Sequence, residues 1–78
     1  MAAESFLKYT ISFLVDKPDA IQIREIAGEE NVTVEIRVAQ EDLGKVIGRN
    51  GRIAKSLRTL VSTIGAKEGK NYSLEIID

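Results

Sequence analysis

Val46-Ile47-Gly48-Arg49-Asn50-Gly51-Arg52 is the stretch of this 78-residue chain whose residue types and spacing could do chemistry. That chemistry is anion binding. Glycines at 48 and 51 carry no Cβ, so a sugar-phosphate backbone can come within hydrogen-bonding reach of the main chain. Gly51 opens a stretch that reads as a helix, and the free N–H groups and dipole of a helix N-terminus attract phosphate oxygens. Arg49 projects from the turn, Arg52 and Lys55 fall on the first turns of the helix behind it, and Lys45 precedes it. Cations so placed neutralise phosphates and make binding salt-dependent. Ile47, with Leu43 and Ile53, offers an apolar floor for bases, although core packing is the simpler role for Leu43 and Ile53. Two glycines three apart carry no weight alone: at about 7 % glycine, a chain this long contains such a pair about once in three tries. The basic ring and the flanking helices give the pair its meaning.

The rest of the chain must position this turn. Ala3 to about Val15 reads as an amphipathic helix, with Phe6, Thr10 and Phe13 in one row and Leu7, Ile11 and Leu14 in the next. Tyr9 widens the apolar arc, and core packing is the expected role of these residues, the aromatics included. Pro18 disfavours helical geometry at Lys17 and ends the element. Ile21 to Ala27 alternates imperfectly, Gly28-Glu29-Glu30-Asn31 is a turn, and Val32, Val34, Ile36 and Val38 alternate cleanly with Thr33, Glu35 and Arg37, so an antiparallel hairpin is expected. Gln40 to Ile47 reads as a short helix with Glu41 and Asp42 as first-turn partners of its dipole. A longer helix runs from Gly51 to about Ile64, its stripe formed by Ile53, Leu57, Leu60, Val61 and Ile64, with Gly65 as the residue just past its end. After a polar loop from Lys67 to Asn71, Tyr72, Leu74 and Ile76 alternate as a closing strand. A helical crossover separates the last strand from its predecessor, which predicts parallel pairing. The expectation is an α+β fold of order α-β-β-α-α-β: two layers, a three-stranded mixed sheet with all helices on one face. Gln22, Arg24, Thr33, Glu35, Arg37, Ser73 and Glu75 would line the open face.

Composition narrows the function classes. The chain can form one domain, residues 1–78, with a single modest core. At 44 % hydrophobic and 29 % charged it should fold. Cysteine and histidine are absent, which removes disulfides, thiolate metal sites, the commonest general base and the commonest metal ligand. Neither a signal peptide nor an apolar run of about 20 residues is visible, so a cytoplasmic protein without membrane association is expected. The net charge of −1 conceals a polarised chain: six of the eleven bases lie between Lys45 and Lys67 with no acid among them. Such a segment points to a polyanionic partner.

Val46-Ile47-Gly48-Arg49-Asn50-Gly51-Arg52 resembles the V-I-G-x-x-G-R signature of the KH domain, and the element order resembles the type II form of that fold. Because the domain is the whole chain, it is similar to the small bacterial single-KH RNA-binding proteins of the KhpA family. The resemblance spans residues 3 to 78. It implies a groove that clamps about four nucleotides of single-stranded nucleic acid. Carried over by position, Gly48, Arg49, Asn50 and Gly51 form the clamp, Ile47 belongs to the apolar wall, Lys45, Arg52 and Lys55 contact phosphates, and Arg37 stands beside the groove-lining strand. Asn50 occupies a variable position and leaves the clamp one cation. The resemblance further implies a post-transcriptional regulator or RNA chaperone that acts as a homodimer, or as a heterodimer with a larger KhpB-like KH protein, without cofactor, metal or small-molecule substrate.

Two other classes compete. Catalysis would need Glu41 and Asp42 as a carboxylate pair, yet adjacent helical residues point about 100° apart, and a non-catalytic protein is expected. A KH fold kept only as an interaction scaffold would use the apolar arc of the first helix and the Leu60-Val61-Ile64 end of the long one. Single-stranded DNA is a third candidate ligand, because no residue visibly reads a 2′-hydroxyl.

Overall fold

The computed structural model describes residues 3–77; Met1, Ala2 and Asp78, the ends of the predicted domain, lie outside the described residues. The elements follow the predicted order: α1 (Ala3–Ser12), β1 (Gln22–Ala27), β2 (Asn31–Arg37), α2 (Leu43–Ile47), α3 (Arg52–Lys67) and β3 (Asn71–Ile76). Short 3-10 turns at Pro18–Ala20, Gln40–Asp42 and Arg49–Gly51 join them.

β2 is the centre of the sheet because its alternation is the cleanest. Val32, Val34 and Ile36 are all buried. β1 pairs with it antiparallel, from Gln22 opposite Arg37 to Ala27 opposite Val32. β3 pairs on the other side in parallel, from Asn31 opposite Asn71 to Ile36 opposite Ile76. The helices cover one face of this mixed sheet, and the fold is an α+β arrangement consistent with a type II KH domain. Leu7 and Ile11 of α1, Val46 of α2, Leu57 and Val61 of α3, and Leu74 of β3 close over β2. Truncating Leu7 or Ile11 to alanine would cost about 2–5 kcal/mol, a large share of the stability of so small a chain. The other face carries the predicted polar residues, with Thr33 Oγ1 and Ser73 Oγ 3.4 Å apart across β2 and β3. Ile26 interrupts it: its register opposite Thr33 leaves it 44 % exposed.

Four expectations are corrected. α1 stops at Ser12, three residues short of Val15. Ser12 Oγ competes for one of its last carbonyls by donating to Tyr9 O, and the chain then tightens as Leu14 N–H donates to Ile11 O at 2.8 Å. Tyr9 and Phe13 are not core residues; they are 68 % and 72 % exposed and stack edge-on with centroids 5.0 Å apart. Ala3, Leu7 and Ile11 fill the sheet-facing stripe, and positions 9 and 13 lie about half a turn away. The predicted Gln40–Ile47 helix is a 3-10 turn followed by a five-residue α-helix.

The fourth correction concerns α3, which runs on through Gly65 to Lys67. Gly65 is a buried helical residue; a Cβ there would stand 2.6 Å from the Tyr72 ring. Gly69, at φ +74°, ends the helix instead. Its N–H donates to Ala66 O and that of Lys70 to Gly65 O, the paired bonds that satisfy a helix's last carbonyls. Leu60, predicted in the apolar stripe, is 43 % exposed.

Candidate nucleic-acid interface

The turn between α2 and α3 is built from three successive backbone reversals. Gly48 sits at φ 79°, ψ 172°, a region essentially restricted to glycine. Asn50 (φ 58°, ψ 25°) and Gly51 (φ 73°, ψ 15°) are both left-handed, a conformation that Asn tolerates and Gly takes without cost. Gly48 N–H closes α2 on Gly44 O at 2.9 Å, Gly51 N–H returns to Gly48 O at 3.1 Å, and Arg52 N–H returns to Arg49 O. Arg49 and Asn50 N–H are left without an acceptor inside the turn. No side chain caps α3; Gly51 and Arg52 N–H are spent inside the turn, so the N–H groups it leaves open to an anion are those of Arg49 and Asn50.

The two glycines have different duties. A Cβ on Gly48 would stand 2.6 Å from Ile53 Cγ1, so this glycine lets the turn fold down over Ile53. A Cβ on Gly51 would meet nothing within 4 Å. Gly51 is the open side of the turn, where a ligand can approach the backbone.

Charge is arranged to suit a phosphate. Arg49, Arg52 and Lys55 are exposed, and among the described residues no ion pair engages them or Arg58. Lys45 differs. Its ammonium is held by Asp16 and lies 3.4 Å from Asp42 Oδ1. The bond it donates to the Asp16 carboxylate above all keeps its pKa above the usual lysine value. Arg37 is also engaged, 3.6 Å from Glu35 Oε1. Of the residues singled out in the sequence, Arg49, Arg52 and Lys55 thus carry no ion pair among the described residues and lie on or just behind the turn of Gly48, Asn50 and Gly51, while Lys45 and Arg37 have partners within the chain.

Half-buried apolar side chains precede the turn. Leu43 and Ile47, four apart on α2, share one half-buried side of that helix. Leu43 also lines a shallow depression of about 330 Å³ with Val38, Gln40 and Ile77. A larger depression of about 560 Å³ lies at the opposite pole, among Glu29, Glu30, Glu68 and Lys70. Its acidic rim would repel phosphate, so size does not make it the better candidate.

The sequence reading missed Asp42. The expected dipole partner is fully buried and accepts the backbone N–H groups of Asp16 (3.1 Å) and Lys17 (3.0 Å). Burial pushes its carboxyl pKa up, but those two N–H groups and Lys45 more than offset this and hold it below the usual carboxylate value. Glu41, its neighbour, is an exposed partner of Lys17 at 2.7 Å. Nothing local in the sequence separates the two acids, since the donors come from 25 and 26 residues earlier.

Among the described residues no helix is long and apolar enough to cross a membrane, and no three His, Cys, Asp or Glu side chains group to hold a metal. The model of the KhpA/KhpB KH-domain family matches residues 4–76. The chain is 50 % identical to the RNA-binding protein KhpA of Clostridium acetobutylicum over 64 residues, 82 % of this chain and 85 % of that one. It is 46 % identical to the RNA-binding protein KhpA of Aquifex aeolicus over 77 residues, 99 % and 98 % of the two chains. With its counterpart from Chlamydia trachomatis it shares 37 % identity over 75 residues, 96 % of each. No solved structure gives a significant match.

Proposed function

The chain belongs to the KhpA/KhpB KH-domain family, and we propose that it is a non-catalytic, cytoplasmic single-stranded RNA-binding protein, a single KH domain spanning the chain. The observation that carries the reading is the turn itself: uncommitted Arg49, Arg52 and Lys55 surround a left-handed Gly51 with open space beside it. The sugar-phosphate backbone lies over Gly51, its phosphates take the N–H groups of Arg49 and Asn50 beside the positive end of the α3 dipole, and Arg49, Arg52 and Lys55 neutralise them. Bases rest against Ile47 and the Leu43 side of α2. Lys45 contributes by partial release from its acidic partners.

One clamp of about four nucleotides binds weakly, and two linked clamps gain by effective concentration. The functional form is therefore a homodimer or a pair with a larger KhpB-like protein, and the role is RNA chaperone or post-transcriptional regulator. Exposed Tyr9, Phe13 and Leu60 supply apolar surface for self-association. Fluorescence anisotropy with a labelled eight-nucleotide RNA, a matched DNA strand and Gly51→Asp tests the reading. Binding of RNA over DNA that is lost in the variant supports it; equal binding by the variant rejects the clamp.

A further inference from the structure

Asp42 is the one charged residue among those described that is fully buried. Its Oδ1 accepts Asp16 N–H and lies 3.4 Å from Lys45 Nζ, and its Oδ2 accepts Lys17 N–H. Lys45 reaches back to the Asp16 carboxylate, and Lys17 to Glu41. The segment leaving α1 is thus sewn to the start of α2 by main-chain and side-chain bonds.

α2 needs such an anchor. Five residues are far too few for a helix to stand alone in water. Three points hold it: Asp42 at its start, Val46 buried in the core, and Gly48 N–H bonded to Gly44 O at its end. Val46 fixes a pivot. Asp42, four residues before Val46 and six before Gly48, fixes the tilt and rotation about that pivot. Gly48 and the turn follow directly from the other end of this lever.

We infer that Asp42 is the positioning residue of the Gly48–Gly51 turn: by pinning Asp16 and Lys17 to the start of α2, it sets the orientation in which the turn meets phosphate. This role rests on the proposed RNA reading. Because the buried carboxylate is held in its charged form, and Asp16, Lys17, Glu41 and Lys45 are the charged groups around it, the latch is closed at neutral pH. Binding then loses little to ordering the turn, which is what preorganisation contributes to affinity.

Asp42→Asn is the test, with Asp16→Asn as a charge-matched control that leaves the Asp16 N–H in place. The variants are compared at low temperature, where amide spectra show them folded. In Asp42→Asn the amides of Arg49, Asn50 and Gly51 should move and exchange faster. Affinity for the eight-nucleotide RNA should fall about three- to tenfold, with the slope of log Kd against log salt unchanged because no phosphate contact is lost. Asp16→Asn should leave affinity level or slightly tighter. A folded Asp42→Asn protein that binds as tightly as the parent, or more tightly from its removed negative charge, overturns the inference. Unmoved turn amides overturn it also, and that readout stands even if the parent binds no RNA, a result that would reject the RNA reading separately. Should Asp42→Asn not fold, Asp42→Glu keeps the charge but lengthens the arm by one methylene, and displaced or undisplaced turn amides decide in the same way.

Discussion

At the N-terminal end of α3, Gly51 has open space where a Cβ would stand; at the C-terminal end, Gly65 has the Tyr72 ring there, 2.6 Å away. The two ends lie about 24 Å apart, from 16 residues at 1.5 Å each. Each end also has a second glycine at positive φ, Gly48 and Gly69 respectively, that turns the chain. The ends differ in what fills the room that glycine leaves. At the C-terminal end the chain fills it with its own side chain and satisfies the last carbonyls with Gly69 and Lys70 N–H. Acids outnumber bases around it, Glu29, Glu30 and Glu68 against Lys67 and Lys70. At the N-terminal end, among the described residues, nothing fills the space beside Gly51, no side chain caps the helix, and Arg49, Arg52 and Lys55 have no ion-pair partner. Within each end one glycine serves packing, Gly48 against Ile53 and Gly65 against Tyr72, and the other, Gly51 or Gly69, has open space where a Cβ would stand, so the charges around them are what tell the two ends apart.

Substitutions that fill each space should separate these duties. Gly51→Asp should have the largest effect on binding. It puts a carboxylate where a phosphate would sit, and like-charge juxtaposition of this kind costs several kcal/mol, so affinity for short single-stranded RNA should fall ~100-fold. Its melting temperature should fall by only a few degrees, about 4–8 °C per kcal/mol in a domain this small. The left-handed strain of roughly 1–2 kcal/mol is partly offset by an acid at a helix N-terminus. Gly48 is the poorer probe, because a Cβ there collides with Ile53 and its backbone angles suit glycine alone. Gly65→Val should do the reverse. Overpacking against Tyr72 should cost about 1–3 kcal/mol, read as a drop in denaturation midpoint, while folded molecules bind RNA as before. A Gly65 variant that lost affinity without losing stability would break the comparison.

Smaller effects should sort the cations. Arg52→Ala and Lys55→Ala should each weaken binding a few-fold and reduce the salt slope by about 0.7, the value for one single-strand phosphate contact. Lys45→Ala should change both less, since Asp16 and Asp42 already hold its ammonium. Anisotropy titrations at three salt concentrations would read this order, and an equal slope change for Lys45 would show that it leaves its partners to meet phosphate.

The smallest effect expected is on stability against pH. Asp42 and Glu41 are held below their ordinary values of 3.8 and 4.5, Asp42 by N–H donors that outweigh its burial and Glu41 chiefly by Lys17. A carboxyl whose folded pKa is depressed contributes stability above its ordinary pKa and loses it as pH falls through the folded one. Melting temperature should therefore be level near neutrality and decline below about pH 4. Asp42→Asn should flatten that decline, and an unchanged acid limb in the variant would show that other carboxylates set it.

The sheet was legible in the sequence because alternation there reports burial directly. Val32, Val34 and Ile36 against Thr33 and Glu35, and Leu74 between Ser73 and Glu75, each face as their pattern says. The glycine turn was legible because its cations and glycines are adjacent in sequence. What escaped depends on groups distant along the chain. Gly65 reads as a helix stop until Tyr72 is placed over it. Tyr9 and Phe13 read as core because a helix wheel shows an apolar arc without saying how much of it the sheet can cover. Asp42 and Glu41 read alike because only Asp42 meets the N–H groups of Asp16 and Lys17.

The central claim is that the α2–α3 turn is the phosphate clamp, and an amide NMR titration with short single-stranded RNA at two salt concentrations tests it most directly. Shifts centred on residues 47–55, weakening steeply as salt rises and larger for RNA than for a matched DNA strand, are the predicted result. RNA-induced shifts confined to other surfaces, or none at all with strands of any length, would contradict it.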